Sequence, residues 1–265
     1  MLETKNKITW CPGCPNYLIK QAIQTAITNL IQQGYPKESF VVVTDIGCSS
    51  KIYDYLDLSA FYGLHGRAIP TGFGIKVGNP KLNVLVIAGD GGTYNEGLDH
   101  FIHACRYNIN LTLLVHNNGA FSLTTGQASA TTKKGFIEKT HPFGVQEDAL
   151  NPLSLALESG ASFVARTSAL DLNQMAAIIE QGIKHPGFSF IDILQPCLIY
   201  NNFSEVLKKN SYILKNPLPL EKALVEARKS AFALENPAKE KIALGVFFQE
   251  KKPTFEEKYF QNRNI

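Results

Sequence analysis

The chain has 265 residues, 45% of them hydrophobic, and a formal net charge of +3. That much apolar material can bury a sizeable core and predicts one globular domain with an appendage, while so small a charge, with no dense Lys/Arg patch, gives no warrant for nucleic acid or an anionic membrane as partner. The opening MLETKNKITW lacks a signal-peptide core, and the apolar runs from Phe40 and Val84 are too short to span a bilayer, so the expected location is cytoplasmic. Thiols stay reduced there, and the five cysteines are read as ligands or buried residues rather than disulfides.

In chain order, apolar residues at Leu18, Ile19, Ala22, Ile23, Ala26, Ile27 and Leu30 predict a helix from about Asn16 to Gln33, stopped by Gly34. Phe40–Thr44 reads as a buried strand and Asn83–Ala88 as a second, ending at Gly89-Asp90-Gly91. A helix over Tyr94–Tyr107 leads to a strand at Leu111–His116, which ends at Asn117-Asn118. After a polar loop from Gly119 to Gly144 come a helix near Leu153–Glu158, a strand at Ser162–Ala165, a helix near Leu170–Gly182 and a strand at Phe188–Leu194. Continuous apolar strands separated by helices predict an α/β fold, a mostly parallel sheet with helices on both faces. Residues 1–204 form the expected core domain. The Lys-, Glu- and Pro-rich stretch 205–265, with a helix near Leu220–Phe232 and an apolar run Ile242–Phe248, is expected to pack as an extension on the core or on a partner.

Ligands in open α/β sheets sit at the carboxyl ends of the strands. Gly89-Asp90-Gly91 and Asn117-Asn118 fall at two such ends, one crossover helix apart. The flanking glycines admit close backbone approach, and the helix beginning after Gly92 points free N–H groups at an anion. Mg²⁺ takes oxygen ligands from a few protein groups plus phosphate, and the Asp90 carboxylate, the Asn118 amide oxygen and the Ala120 carbonyl suit it. Either element alone is no more than a turn, but the pair points to a metal-held diphosphate. No GxxxxGK[ST] or GxGxxG occurs, which argues against an ordinary nucleotide.

Cys11 and Cys14 share a CPGC turn, Cys48 follows a strand, and Cys197 ends ILQPC. All can converge on the same sheet edge as the diphosphate. Four thiolates suit a [4Fe–4S] cluster; a structural Zn²⁺ and inert buried thiols are the other readings of the same residues. Cys105 reads as a core thiol, and His100, His103, His116 and His141 as packing, interface or surface residues. His65 is the histidine assigned to the site. Arg67 is balanced between orienting an anion and an ion pair, and Lys51 between a substrate carboxylate and solvent. Thr124, Thr125, Gln127 and Ser129 belong to a polar loop placed to close over a cofactor.

GDG followed by NN about thirty residues later is the thiamine diphosphate motif. With WCPGC at Trp10–Cys14, DIGCSS at Asp45–Ser50, LHGRAIPTGFGIK at Leu64–Lys76, GDGGTYNEGLDHFIHACRYN at Gly89–Asn108, LLVHNNGAFSLTTGQASATT at Leu113–Thr132, GFSFIDILQPC at Gly187–Cys197 and GVFFQEKKPTFEE at Gly245–Glu257, the chain resembles the β subunits of 2-oxoacid:ferredoxin oxidoreductases, the pyruvate and 2-oxoglutarate synthase group. The resemblance runs from near residue 8 to near residue 258. It implies thiamine diphosphate, Mg²⁺ and a [4Fe–4S] cluster as cofactors: Asp90, Asn118 and Ala120 on Mg²⁺; Cys48, Ser49, His65, Gly89, Asp90, Gly91, Asn118 and Leu123 against thiamine diphosphate; Cys11, Cys14, Cys48 and Cys197 on the cluster. It implies CoA-dependent oxidative decarboxylation of a 2-oxoacid, pyruvate or 2-oxoglutarate, with electrons passing to ferredoxin. No catalytic acid or base is assigned in this chain. The activating Glu is expected on a partner α (or α/γ) subunit carrying the pyrimidine-binding domain, so the chain alone is expected to be inactive. The competing readings are a thiamine diphosphate-dependent decarboxylase subunit with structural zinc and a non-catalytic iron–sulfur electron-transfer protein. The sequence departs from the family pattern at Pro15 and Asp45, where many members have Gly, at Gly92, where many have Asp or Cys, and at Phe121, often Tyr. These departures weaken any transfer of substrate preference.

Overall fold

A computed structural model describes residues 2–232 and 241–260. Helix α1 (Asn16–Gln32) precedes strand β1 (Phe40–Thr44), and the short strand β2 (Ser59–Tyr62) follows. Helix α2 (Ala68–Gly78), strand β3 (Asn83–Gly89), helix α3 (Leu98–Tyr107) and strand β4 (Thr112–Asn117) come next. Then come α4 (Pro152–Glu158), β5 (Phe163–Ser168), α5 (Leu172–Lys184) and β6 (Ser189–Leu194). The chain continues through α6 (Ser204–Asn210), β7 (Ser211–Ile213), α7 (Leu220–Phe232), β8 (Ile242–Gln249) and α8 (Phe255–Tyr259). The strands form one sheet in the order β2-β1-β3-β4-β6-β5-β8-β7. Every pairing is parallel except β5 with β8. The expected mostly parallel α/β architecture is therefore what forms.

Because strand side chains alternate, each strand feeds two cores. Leu85 and Ile87 of β3 pack with Ile19, Ile23 and Ile27 of α1 and with Ile179 of α5. Val84, Val86 and Ala88 of the same strand pack on the opposite face with Ile69 of α2, Phe101 of α3 and Leu153 of α4. The local signals of the sequence explain most boundaries. Gly34, at φ +100°, stops α1. The side chain of Asp171 accepts from Gln174 N at 3.0 Å, so α5 begins two residues later than its apolar pattern suggested. Helical structure after β3 begins at once: a π turn over Gly91–Glu96 precedes α3, and the expected start at Tyr94 lay inside it. Strand β2 carried no readable pattern because all four of its residues are exposed. Residues from 205 onward add β7 and β8 to the same sheet, with a register shift opposite Val164 and Ala165. Residues 233–240 and 261–265 of that expected extension lie outside the described residues.

No helix among the described residues is long and apolar enough to cross a membrane.

Helix α2 is seated on β3 through a glycine. A Cβ at Gly72 would lie 2.5 Å from Val86 Cγ2, whereas one at Gly74 would meet nothing within 4 Å. Gly72→Ala should destabilise the fold by about 1–3 kcal/mol through overpacking. Gly74→Ala should be neutral or stabilise by up to about 1 kcal/mol through helix propensity. Denaturant unfolding of both variants distinguishes the sites, and equal effects would contradict this seating of α2.

Candidate active site

Strands β1, β3, β4 and β6 run in parallel and end at one rim, so the segments that leave them start side by side. From β1 come Asp45, Cys48 and Ser49; from β3, Asp90 and Gly91; from β4, Asn118 and Ala120; from β6, Gln195 and Cys197. A cavity of about 80 Å³ opens there, and its walls include Cys48, Ser49, His65, Gly89, Asp90, Gly91, Asn118, Ala120 and Leu123. Thus all the residues assigned from sequence to the diphosphate and its metal line one space.

Asp90 is 1% exposed. Its Oδ2 accepts from Ser129 Oγ at 2.5 Å and from Thr131 Oγ1 at 3.0 Å. Burial outweighs these hydrogen bonds and pushes its carboxyl up to about 6. Asn118 Oδ1 accepts from Ala120 N and Ser122 Oγ, both at 3.1 Å, while its Nδ2 donates to Gln195 Oε1 at 3.3 Å. The loop Gly119–Gly144 is pinned near its start by a bridge between Phe121 and Gln127 and by Thr124 Oγ1 donating to Gln127 Oε1 at 2.7 Å. Phe121 fills the space beside Gly91, where an added Cβ would overlap its ring. Close backbone approach at Gly91 is therefore built into the site.

A second cavity, of about 250 Å³, is lined by Cys11, Cys14, Cys48 and Cys197. Cys48, Asn118, Ser122 and Leu123 belong to the walls of both cavities, which therefore abut. The CPGC turn is closed by Cys14 N donating to Cys11 O at 3.1 Å, with Gly13 at φ +75°. Trp10 fastens this turn to the loop after β1: its Nε1 donates to Cys48 O at 2.6 Å, and its ring meets Tyr17 and Tyr55 edge-on. Cys197 exchanges two backbone hydrogen bonds with Asn201, each 3.0 Å, which bends Leu198–Tyr200 over the cavity. Burial, with a smaller contribution from the other three cysteines and against a backbone hydrogen bond from Asn16, pushes the Cys14 thiol up to about 11. Cys48 is also raised, first by burial, against a smaller lowering by Lys51. Among the described residues, no three His, Cys, Asp or Glu side chains have the spacing of a single-ion site.

Other residues fall outside these cavities or take different partners. Cys105 is buried in the core. His116 is buried too and lowered to about 3 by desolvation, so its neutral ring donates from Nδ1 to Asn16 Oδ1 at 2.8 Å. His100 lies 3.8 Å from Asp99, His103 stacks on Tyr107, and His141 Nδ1 lies 2.5 Å from Glu138 Oε1. Arg67 Nη1 donates to the carbonyls of Glu96 at 2.9 Å and Gly66 at 3.3 Å. Lys51 lines the cysteine cavity.

Three features escaped the reading of motifs. Gln195 lines the thiol cavity, with Nε2 3.9 Å from Cys14 Sγ and Oε1 accepting from Asn118, a residue both cavities share. Arg166 and Asp192, at matched positions in β5 and β6, form a buried ion pair of 2.8 Å, and Asp192 Oδ1 also accepts from Asn117 at 3.0 Å and Tyr94 at 3.3 Å. A charged residue inside each of two apolar runs, FVARTS and SFIDIL, was the available signal. Asp45 is the third. Its Oδ1 accepts from Ser50 and its Oδ2 from Gly66 N, and His65 Nδ1 stands 3.5 Å from Oδ2. This carboxylate, close to Nδ1 though not hydrogen-bonded to it, raises the His65 pKa.

Asp45 also occupies the space in front of Gly92. A Cβ there would overlap Asp45 Oδ2 and stand 3.2 Å from His65 Nδ1. Gly92→Ala should therefore destabilise the chain by about 1–3 kcal/mol. In the Asp45→Ala background the same change should be relieved, giving a coupling on the order of 1 kcal/mol in a double-mutant cycle. Strict additivity in thermal or denaturant unfolding would show that the two positions do not share this space.

Residues 45–193 match the family described as thiamine pyrophosphate enzyme, C-terminal TPP binding domain. The chain is 46% identical over 195 residues to a 2-oxoacid:ferredoxin oxidoreductase subunit beta of Saccharolobus solfataricus, covering 73% of this chain and 63% of that one. With a subunit of the same description from a Sulfolobus species, identity is 40% over 268 residues, covering 96% and 86%. A solved structure of 2-oxoglutarate:ferredoxin oxidoreductase from Magnetococcus marinus, with 2-oxoglutarate, coenzyme A and succinyl-CoA bound, superposes with a TM-score of 0.91 at 28% identity, over 99% of this chain and 88% of that one. A thiamine pyrophosphate-binding fold and relatives of this identity along almost its whole length place the chain among the β subunits of the 2-oxoacid:ferredoxin oxidoreductases.

Proposed function

We propose that this β subunit, joined to an α (or α/γ) partner carrying the pyrimidine-binding domain, catalyses CoA-dependent oxidative decarboxylation of a 2-oxoacid and passes the electrons to a ferredoxin. The observation that carries this reading is the shared wall: Cys48, Asn118, Ser122 and Leu123 face both the cavity built around Asp90 and the cavity ringed by thiols. When bound, thiamine diphosphate supplies the nucleophile and electron sink for removing the carboxylate from the keto carbon, and a [4Fe–4S] cluster takes up electrons singly.

The residues fit these groups. Asp90 is a carboxylate whose burial opposes its charge, and a hard cation beside it reverses that balance. Asn118 Oδ1 and the Ala120 carbonyl are the further oxygen donors proposed for Mg²⁺. Ser49 and His65 lie on the wall of the same cavity and are assigned to the diphosphate. His65 has its Nδ1 beside Asp45, whose carboxylate raises its pKa and so favours the protonated ring that an anion would prefer. Cys11, Cys14, Cys48 and Cys197 are the proposed cluster ligands. Burial and mutual repulsion raise Cys14, and coordination to a cation is what favours the thiolate form. A cavity of about 250 Å³ is roomy for one ion, which favours a cluster over zinc. These residues bind and orient; the proton-transferring Glu is assigned to the partner. The relatives' names cover both 2-oxoacids in general and 2-oxoglutarate, so the proposed substrate is the 2-oxoacid class.

Anaerobic co-purification with the partner subunit tests the assignment. Asp90→Ala should lower thiamine diphosphate affinity by at least about tenfold while iron and labile sulfide remain. Cys197→Ser should lose iron and sulfide, and with them acceptor reduction, while the cofactor stays bound. Stoichiometric zinc in place of iron would sink the electron-transfer reading, and 2-oxoacid turnover by the isolated chain would remove the need for a partner.

A further inference from the structure

The β4, β5 and β6 end of the sheet holds a third cavity, of about 180 Å³; its walls include Asn117, Thr131, Lys133, Arg166 and Ser230. No step of the proposed reaction uses it. We propose that this cavity is a second ligand site, for a small monocarboxylate with an apolar chain, adjoining the diphosphate site through Thr131.

Arg166 is the recognition element. It is 4% exposed, and only its Nε is engaged, donating to Asp192 Oδ2 at 2.8 Å. Among the described residues, no acceptor meets its two terminal nitrogens, yet these are not sealed from the cavity. A planar fork with free donors, held rigid by a buried carboxylate, matches a carboxylate ligand in geometry as well as in charge. The size and charge of the space narrow the class. Pockets for drug-sized molecules run to roughly 300–1,000 Å³, so 180 Å³ calls for a much smaller ligand. Asp192 already cancels one positive charge, and the exposed Lys133 leaves an excess of one, which suits a monoanion better than a phosphate dianion. The lining combines the amides of Asn151, Asn201 and Asn202 with the apolar side chains of Leu150, Leu194, Phe203 and Val206, and the latter suit an alkyl chain.

Thr131 connects this cavity to the diphosphate anchor. Its hydroxyl lies 3.0 Å from Asp90 Oδ2 and 2.8 Å from Asn117 Oδ1. One hydroxyl has one proton, so the two acceptors compete for it. An anion in the cavity is a third competitor, and taking that proton changes the hydrogen bonding of Asp90. Ligand and cofactor affinities must then change by the same factor, since coupling between sites is reciprocal.

Calorimetric titration of the assembly with butyrate, which lacks the oxo group of a substrate, tests this by binding alone. It does so independently of turnover, iron content or the outcome for the proposed reaction. Wild-type protein should bind butyrate saturably, and inorganic phosphate at least tenfold more weakly. Arg166→Lys, which keeps the charge beside Asp192 but loses the fork, should weaken butyrate at least tenfold. Val206→Phe, which fills the apolar wall and leaves the ion pair intact, should do the same and guards against misfolding of the first variant. Saturating butyrate should shift the thiamine diphosphate dissociation constant at least threefold in wild type and not in Thr131→Val. No saturable butyrate binding, binding indifferent to both cavity variants, or tighter binding of phosphate would each overturn the site. A cofactor affinity blind to butyrate in the wild type would overturn the link through Thr131.

Discussion

Parallel pairing in register is the constraint on which this molecule depends. Thr44 pairs with Ile87, Gly89 with His116, and Asn117 with Leu194. Each match sets the height at which the next segment leaves the sheet. Asp45, Asp90, Asn118 and Gln195 therefore emerge at neighbouring points of one rim although 150 residues of chain separate the first from the last. Slipping one strand by a single residue would turn its side chains to the opposite face. It would also lift its rim residue out of line, so the same hydrophobic alternation that stabilises the two cores aligns the residues that line the cavities.

What the rim achieves is best seen at Asp90. A carboxylate so deeply buried is penalised, and two hydroxyl donors only partly offset the loss of water. Both donors, Ser129 and Thr131, come from the loop that follows Asn118, so the anchor and its covering loop hold each other in place. Separately, Gln195 joins the Asn118 side chain to the sulfur of Cys14. Asn118 itself lies on the wall that the two cavities share.

The parts of this arrangement legible in the sequence are those carried by contiguous motifs at strand ends. Gly89-Asp90-Gly91, Asn117-Asn118 and the CPGC turn each announce themselves locally, and the parallel sheet follows from apolar runs between helices. The strands that were missed lack such signals. Strand β2 is exposed along its length, and the apolar run of β8 says nothing of its antiparallel pairing with β5. The pairs that orient the site were equally silent, because each joins residues that only folding brings together. Gly92 is an unremarkable glycine until Asp45 is seen filling the space in front of it. Arg166 and Asp192 are isolated charges until β5 lies beside β6 in register.

That last pair shows why the site's polar supports are harder to read than its ligands. A buried ion pair is not a stabilising device in itself, since desolvation offsets much of its Coulomb energy and an apolar pair of like volume often does as well. What Asp192 adds here is direction. Besides Arg166, it accepts from Asn117 and Tyr94, and Asn117 in turn accepts from Thr131 beside Asp90. Each of these groups has its hydrogen-bonding capacity fixed by the next, so the orientation of Asn117 follows from a charge two strands away. Replacing the pair with apolar residues would leave Asn117 and the Tyr94 hydroxyl without their acceptor in a dry interior. The cost of the ion pair is therefore borne for the geometry of the β4 end, the point from which Asn118 must face Asp90.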